Sequence, residues 1–116
     1  MERLREEPGT LPGAEPYEQY QGTVGFVAVA DAFAEIIRFT GYPDSITLAA
    51  RVAAARVRIR DLTGNAVGEF GVNAGSEIET HLTGRIVEAQ EVVAAAGAEL
   101  SVVGKWRDPK AAGHGG

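Results

Sequence analysis

Hydrophobic and polar residues alternate in short runs along most of the chain, and this period of two is typical of β-strands with one buried face. Glycine, asparagine, aspartate and proline interrupt the runs at short intervals, as in residues 41–45, 61–65 and 73–76. Short strands at this spacing predict an all-β sandwich or barrel. The clearest predicted strands are TVGFVAV, ARVRIRD, AVGEFGV, SEIETHL, RIVEAQ and ELSVVGKW.

Alanine-rich segments give a competing helical interpretation, because alanine is the best helix former. Residues 31–40 fit a strand or a helix, and residues 86–95 could hold a short helical turn. For residues 45–60 a strand is favoured. A helix there would spread four arginines around its circumference and leave no wide apolar stripe.

These patterns predict a mainly β fold, a single antiparallel β-sandwich of about seven or eight strands over residues 23–106. Residues 1–22 read as an extended N-terminal arm, because Pro8, Pro12 and Pro16 are incompatible with a helix or a central strand. Residues 107–116 form a predicted flexible tail. Three apolar residues of the arm are predicted interaction residues, namely Leu11, Tyr17 and Tyr20.

Arg56, Arg58 and Arg60 alternate with Val57 and Ile59, which places the three arginines on one face of a strand. The sequence favours a structural role, in which the arginine stems cover apolar surface and the charged heads stay in water. Acidic residues of neighbouring strands would pair with them, either Glu77 and Glu79 or Glu69. If the stripe is only a solvated face, Arg58→Gln should cost less than about 0.5 kcal/mol.

Composition and charge exclude several classes of function. The 116 residues are 45% hydrophobic, enough for one domain with a packed core. The net charge of −5 argues against general binding to nucleic acid or to an anionic membrane surface. The chain has no cysteine, and its charged first residues predict no secretory signal.

No motif for catalysis or cofactor binding is present. Glu79 and His81 would share a strand face and could supply two metal ligands, but no other histidine precedes the C-terminal His114 to complete a site. The sequence has no G-x-S-x-G elbow, no P-loop and no dinucleotide fingerprint. We therefore expect no enzyme activity, no metal and no cofactor.

Residues 74–107 carry a longer pattern, AGSEIETHLTGRIVEAQEVVAAAGAELSVVGKWR. A polar strand follows the A-G-S turn, a second strand opens Arg-Ile-Val-Glu-Ala, and the last strand ends Val-Val-Gly-Lys-Trp. Over about residues 30–107 the chain resembles small β-sandwich proteins of tailed bacteriophage virions, of the head-decoration or minor-capsid kind. The alanine-rich residues 86–96 depart from that pattern, which prefers a polar loop.

The resemblance implies a virion structural protein, made in the host cytoplasm, that binds the capsid or other virion proteins as a homo-oligomer. It also implies that the terminal arm lies along the shell. Deleting residues 1–16 should then leave the Tm unchanged and weaken assembly tenfold or more, which is about 1.4 kcal/mol. The alternatives are a carbohydrate- or protein-binding β-sandwich module of a receptor-binding assembly, and a small α+β enzyme.

Overall fold

The computed structural model describes residues 18–82 and 84–107, which form nine β-strands and no helix. The strands are β1 (Glu18–Gly22), β2 (Val27–Ala28), β3 (Ala34–Arg38), β4 (Ser45–Arg51), β5 (Ala55–Arg60), β6 (Ala66–Val72), β7 (Glu77–Thr80), β8 (Ile86–Glu91) and β9 (Glu99–Arg107). No helix among these residues is long and apolar enough to cross a membrane.

The strands form two sheets. The first sheet has the order β1-β9-β4-β7, with β2 also paired to β9, and the second has the order β3-β8-β5-β6. The pairs β2–β9, β4–β7 and β4–β9 of the first sheet and β3–β8, β5–β6 and β5–β8 of the second are antiparallel, and the predicted mainly β sandwich is confirmed. Residues Tyr20–Lys105 form one unit, and the remaining described residues, which are the outer ends of β1 and β9, belong to a second unit.

The core lies where the alternating apolar positions of the two sheets meet. Ile46 and Leu48 of β4, and Val57 and Ile59 of β5, are fully buried, as the period of two predicts. Further core residues are Phe39, Val72, Val87, Ala89, Leu100 and Val102. The short alternating segments therefore place their apolar faces as the sequence indicates.

The alanine-rich segments, whose sequence is compatible with a strand or a helix, contain strands and no helix in the structure. Residues 34–38 form β3, and residues 45–60 form the two strands β4 and β5. Within residues 86–95 the strand β8 continues to Glu91, and a turn follows it. Tertiary pairing overrides the helix propensity of alanine here, because each segment buries one face only as a strand.

The structure corrects one predicted strand. Residues 23–29 were expected to form a continuous strand, but only Val27 and Ala28 pair, with Leu100 and Glu99 of β9. A turn over Thr23–Gly25 interrupts the segment, and Gly25 has a φ of 76°. A left-handed residue does not fit a strand, and the sequence pattern alone does not reveal it.

Gly104 lets an aromatic residue enter the core. A Cβ at this position of β9 would lie 2.8 Å from the ring of Phe39, which is fully buried. The alternation of Leu100, Val102 and Gly104 thus continues the buried face of β9, with Phe39 filling the space over the glycine.

Candidate interaction surface

The arginine stripe lies on the outer face of the second sheet, where acidic residues pair with it. Glu88 of β8 is the register partner of Arg58, and its Oε1 accepts hydrogen bonds from Arg58 Nε at 3.0 Å and from Arg60 Nη1 at 3.5 Å. Glu69 of β6 lies 3.9 Å from Arg56 Nε. The stripe is therefore an ion-pair network and does not present three unpaired cations to a nucleic acid or a phosphate.

One predicted set of partners for the stripe is wrong. Glu77 and Glu79 lie on β7, which pairs with β4 in the first sheet and not with β5. Glu69 does face the stripe, as the alternative proposed. The sequence pattern does not reveal Glu88 as a partner of Arg58, because their pairing depends on a strand order that the sequence does not specify.

Two arginines also cover phenylalanine rings. The Arg58 guanidinium carbon lies 4.0 Å from the ring centre of Phe33, and that of Arg51 lies 4.2 Å from the ring centre of Phe26. Arg51 also pairs with Glu99. Phe26 and Phe33 bracket the connection that passes from β2 to β3, so each arginine fixes one end of this connection against its sheet.

We expect Arg58→Gln to lower the free energy of unfolding by about 1–2 kcal/mol, because it removes a half-buried ion pair and a cation–π contact. This revises the smaller cost that the sequence predicts. Arg56→Gln is the matched control: Arg56 is half exposed and distant from its carboxylate, so we expect a cost below about 0.5 kcal/mol. Urea unfolding of both variants measures the difference, and equal small costs would contradict the structural role of Arg58.

The side chain of Asp61 stabilises the turn between β5 and β6 through hydrogen bonds. Its Oδ1 accepts hydrogen bonds from the Thr63 hydroxyl at 2.6 Å and from the backbone N–H groups of Thr63 and Asn65, each at 3.0 Å. The hydrogen bond from the Thr63 side chain, followed by those from the backbone, lowers the pKa of Asp61. The turn is therefore built around an ionised carboxylate.

The lowered pKa of Asp61 predicts an acid-sensitive contribution to stability. A carboxyl group with a lower pKa in the folded state stabilises the fold above its unfolded pKa, near 3.8, and this contribution is lost as the pH falls through the folded value. Melting curves from about pH 7 to about pH 2.5 should show the stability advantage over Asp61→Asn shrinking only below about pH 4. An advantage that stays constant to the lowest pH would contradict this assignment.

A buried carboxylate holds the loop between β8 and β9. Glu91 is 7% exposed, and its two oxygens accept hydrogen bonds from the Ala95 N–H at 2.9 Å and the Ala98 N–H at 2.7 Å. Asp31 Oδ1 accepts from the same Ala95 N–H at 3.1 Å. This backbone bond and a hydrogen bond with the Glu91 carboxyl group lower the pKa of Asp31. The loop is thus fixed by side chains from two other segments.

The loops between β4 and β5 and between β8 and β9 form an exposed surface that we call the apolar end. Residues 52–54 and 92–97 are only valine, alanine and glycine. Val52, Val92 and Val93 are 66%, 57% and 65% exposed. The Val92 N–H donates to the Ala54 carbonyl at 3.3 Å, which joins the two loops. Exposed apolar side chains grouped in this way mark an interaction surface.

Val52 gives the apolar end a second unusual feature. Its φ is 73°, a left-handed conformation that β-branched residues rarely adopt. Such a conformation costs about 1–3 kcal/mol and persists where the surrounding structure imposes it, most often at functional sites. Sequence reasoning missed this surface because alanine-rich segments were judged by helix propensity. The available signal was that neither loop contains a polar residue.

The predicted interaction residues have different outcomes. Leu11 and Tyr17 lie outside the described residues, and their role stays a prediction. Tyr20 is in β1 at the edge of the first sheet, 59% exposed, with its ring centre 6.0 Å from Lys105 Nζ. Residues 18–22 of the predicted arm are thus a strand of the sheet.

Glu79 and His81 are both exposed, and the ring Nδ1 of His81 lies 3.4 Å from the Asp44 carbonyl oxygen. Among residues 18–82 and 84–107, no cluster of three or more histidine, aspartate or glutamate side chains is arranged to hold a metal ion. The structure brings no third ligand to this pair within that part of the chain.

No protein-family model matches the chain, and no curated protein matches it. Among solved structures, a chain from "Bacillus endospore appendages form a novel family of disulfide-linked pili" is similar, with a TM-score of 0.51 and 15% identity over 81% of this chain and 91% of that chain. At this identity the similarity shows the fold alone. A chain from "Structure of infectious bursal disease virus Gx strain" has a TM-score of 0.24 and 16% identity, over 80% of this chain and 31% of that chain, and supports no argument.

Proposed function

We propose that this chain is a structural subunit of a virion surface, of the head-decoration kind, which works in many copies through contacts between copies. The apolar end is the observation on which the proposal depends. Three half- to two-thirds-exposed valines are costly to leave in water, and Val52 is held in a strained conformation among them. Contact with a second copy would remove this surface from water.

A weak contact between two copies is sufficient for a structural role when many copies of the protein repeat it. The apolar end is small beside a standard protein interface, so one contact would bind weakly. Repeated copies on a symmetric surface add their contacts and gain avidity. The similar endospore-appendage chain is described as part of disulfide-linked pili. This chain has no cysteine, so its own contacts would be noncovalent.

Substitution at the apolar end tests the proposal. In sedimentation velocity of the 116-residue chain, we expect concentration-dependent oligomers, with Val93→Asp weakening assembly tenfold or more, about 1.4 kcal/mol. Val24→Asp is the matched control, because Val24 is 99% exposed in the turn between β1 and β2, outside the apolar end. Val52→Gly relieves the left-handed strain and removes a contacting side chain, so it should weaken assembly without lowering the Tm.

Two results would overturn the proposal. A chain that stays monomeric at millimolar concentration does not assemble by itself, and equal effects of Val93→Asp and Val24→Asp would remove the apolar end from the contact. Whether the protein belongs to a virion is tested separately, by the identity of the genes that flank its gene. Flanking genes for capsid and terminase proteins support it, and their absence argues for another surface assembly.

A further inference from the structure

A subunit that assembles in many copies needs two different contact surfaces, and the apolar end is one surface. A contact that uses the same surface on both copies closes at two copies. A head-to-tail contact between two different surfaces continues into a ring or a filament. The proposed assembly of many copies therefore requires a second surface on the same chain.

Antiparallel pairing separates the loops into two ends. The first residue of β5, Ala55, pairs with the last residues of β6 and β8, Val72 and Glu91, and the end of β4 pairs with the start of β9. The loops after β4, β6 and β8 therefore lie together, and they include the apolar end. The loops after β3, β5 and β7 lie at the opposite end, which we call the far end. Strands of six or seven residues separate the two ends by about 20 Å.

The far end also exposes apolar side chains. Tyr42, between β3 and β4, is 45% exposed, and Leu62, between β5 and β6, is 46% exposed. Arg85 connects the segments that carry them, because its N–H donates to the Arg60 carbonyl and its Nε donates to the Phe39 carbonyl, each at 3.0 Å. The guanidinium carbon of Arg85 lies 5.9 Å from the ring centre of Tyr42. The far end thus combines exposed apolar side chains with a cation.

Arg85 differs from the arginines of β3, β4 and β5 in having no carboxylate partner. Those arginines each lie within 3.9 Å of a glutamate oxygen. Within residues 18–82 and 84–107, no carboxylate forms an ion pair with Arg85, although Asp44 and Asp61 belong to the same end. The Asp61 carboxylate is bound within its own turn. Arg85 is therefore available to a carboxylate of another chain.

A carboxylate lies beside the apolar end. Asp31 is exposed, and its Oδ1 accepts a hydrogen bond from the Ala95 N–H of the apolar end at 3.1 Å. Neither loop of the apolar end contains a charged residue, and Arg51, which precedes the first of them, is already paired with Glu99. A twofold contact between two apolar ends would bring two Asp31 carboxylates to one interface without an unpaired arginine. A head-to-tail contact brings Asp31 to Arg85, which is the complementary arrangement.

We propose that copies of the chain assemble head to tail, with the apolar end of one copy against the far end of the next. In this contact Tyr42 and Leu62 cover the exposed valines. Arg85 pairs with Asp31 of the neighbouring copy. This inference rests on the proposed function and names the surface that meets the apolar end. Each copy then removes apolar side chains at both ends from water, whereas a twofold contact at one end leaves Tyr42 and Leu62 exposed.

Variants that each block one end test the head-to-tail arrangement. Val93→Asp blocks the apolar end of the 116-residue chain, and Leu62→Asp blocks the far end. In sedimentation velocity, we expect each variant alone to assemble more weakly than the wild type by about tenfold or more. An equimolar mixture should form dimers with one chain of each kind and no larger species, because each variant keeps one intact end. Val24→Asp, outside both ends, is the control and should assemble like the wild type.

Two outcomes would overturn the head-to-tail contact while the wild type assembles. One is a Leu62→Asp protein that assembles like the wild type, and the other is a mixture of the two variants that stays monomeric. If Val93→Asp alone weakens assembly, the proposed function stands, with a twofold contact between apolar ends in place of the head-to-tail contact. A wild-type chain that stays monomeric at millimolar concentration contradicts the proposed function itself.

Charge reversal tests the ion pair without changing an apolar residue. Asp31→Lys and Arg85→Glu should each weaken assembly by about tenfold, because each brings like charges together at the contact. The double variant restores opposite charges between neighbouring copies, so we expect it to recover most of the lost affinity. Because the two residues lie at opposite ends of one chain, this recovery has to arise between copies. A double variant that loses as much as the two single variants combined would contradict the pairing of Asp31 with Arg85.

Discussion

Replacing Ile59 with alanine should lower the free energy of unfolding by about 2–5 kcal/mol. Ile59 is fully buried on the inner face of β5, between Gly68 of β6 and Val87 of β8. Its Cγ2 lies against the position where a side chain on Gly84 would begin, so backbone surrounds it on that side and cannot collapse into the space that the truncation leaves. The cost therefore includes a cavity as well as lost burial of apolar surface.

Urea unfolding of Ile59→Ala should show a lower midpoint with an unchanged slope, because the change affects stability and not the surface exposed on unfolding. Arg56→Gln, three residues away on the other face of β5 and expected to cost below about 0.5 kcal/mol, is the comparison. Similar costs at the two positions would contradict the alternation of buried and exposed faces on which the fold assignment depends.

Replacing Glu91 with alanine should cost about 2–4 kcal/mol, because two backbone N–H groups lose the side-chain oxygens that accept their hydrogen bonds. The Ala98 N–H is the more serious loss, since Ala98 is 1% exposed and water cannot easily reach it. The Ala95 N–H keeps Asp31 as an acceptor. The expected result is a less stable protein whose loop between β8 and β9 exchanges its amide hydrogens faster.

Glu91→Gln separates the loss of an acceptor from the loss of volume. It keeps the shape of the side chain and one acceptor oxygen, so we expect a cost between those of the wild type and the alanine variant. Amide exchange at Ala95 and Ala98 provides the direct measurement. Unchanged exchange in Glu91→Ala would mean that the loop holds its conformation without the carboxylate, and the structural role assigned to Glu91 would be wrong.

Much of the fold could be predicted from local pattern. The strands β5, β6, β8 and β9 lie where alternation and turn residues indicate, because burial of every second side chain is a property of the strand itself. Turn-forming residues also predict where strands end. At residues 61–65, Asp61 and the polar residues after it form the turn of a hairpin. The arginines of β5 face away from the core for the same reason.

Tertiary structure decided whether the alanine-rich segments are strands or helices, because local preferences conflict there. It also decided which residues pair when they are distant in the sequence. Alanine-rich residues of β4 and β8 became strands because neighbouring strands supply their hydrogen bonds, which no local propensity can foresee. Strand order placed Glu88, and not Glu77 or Glu79, beside Arg58.

The candidate site depended on tertiary structure even more. The apolar end consists of two loops about forty residues apart in the sequence, brought together by the pairing of β5 with β8. The sequence by itself determined which side chains alternate and how many apolar residues must be buried. The tertiary structure alone decided which apolar residues stay exposed, because exposure depends on which strands lie side by side.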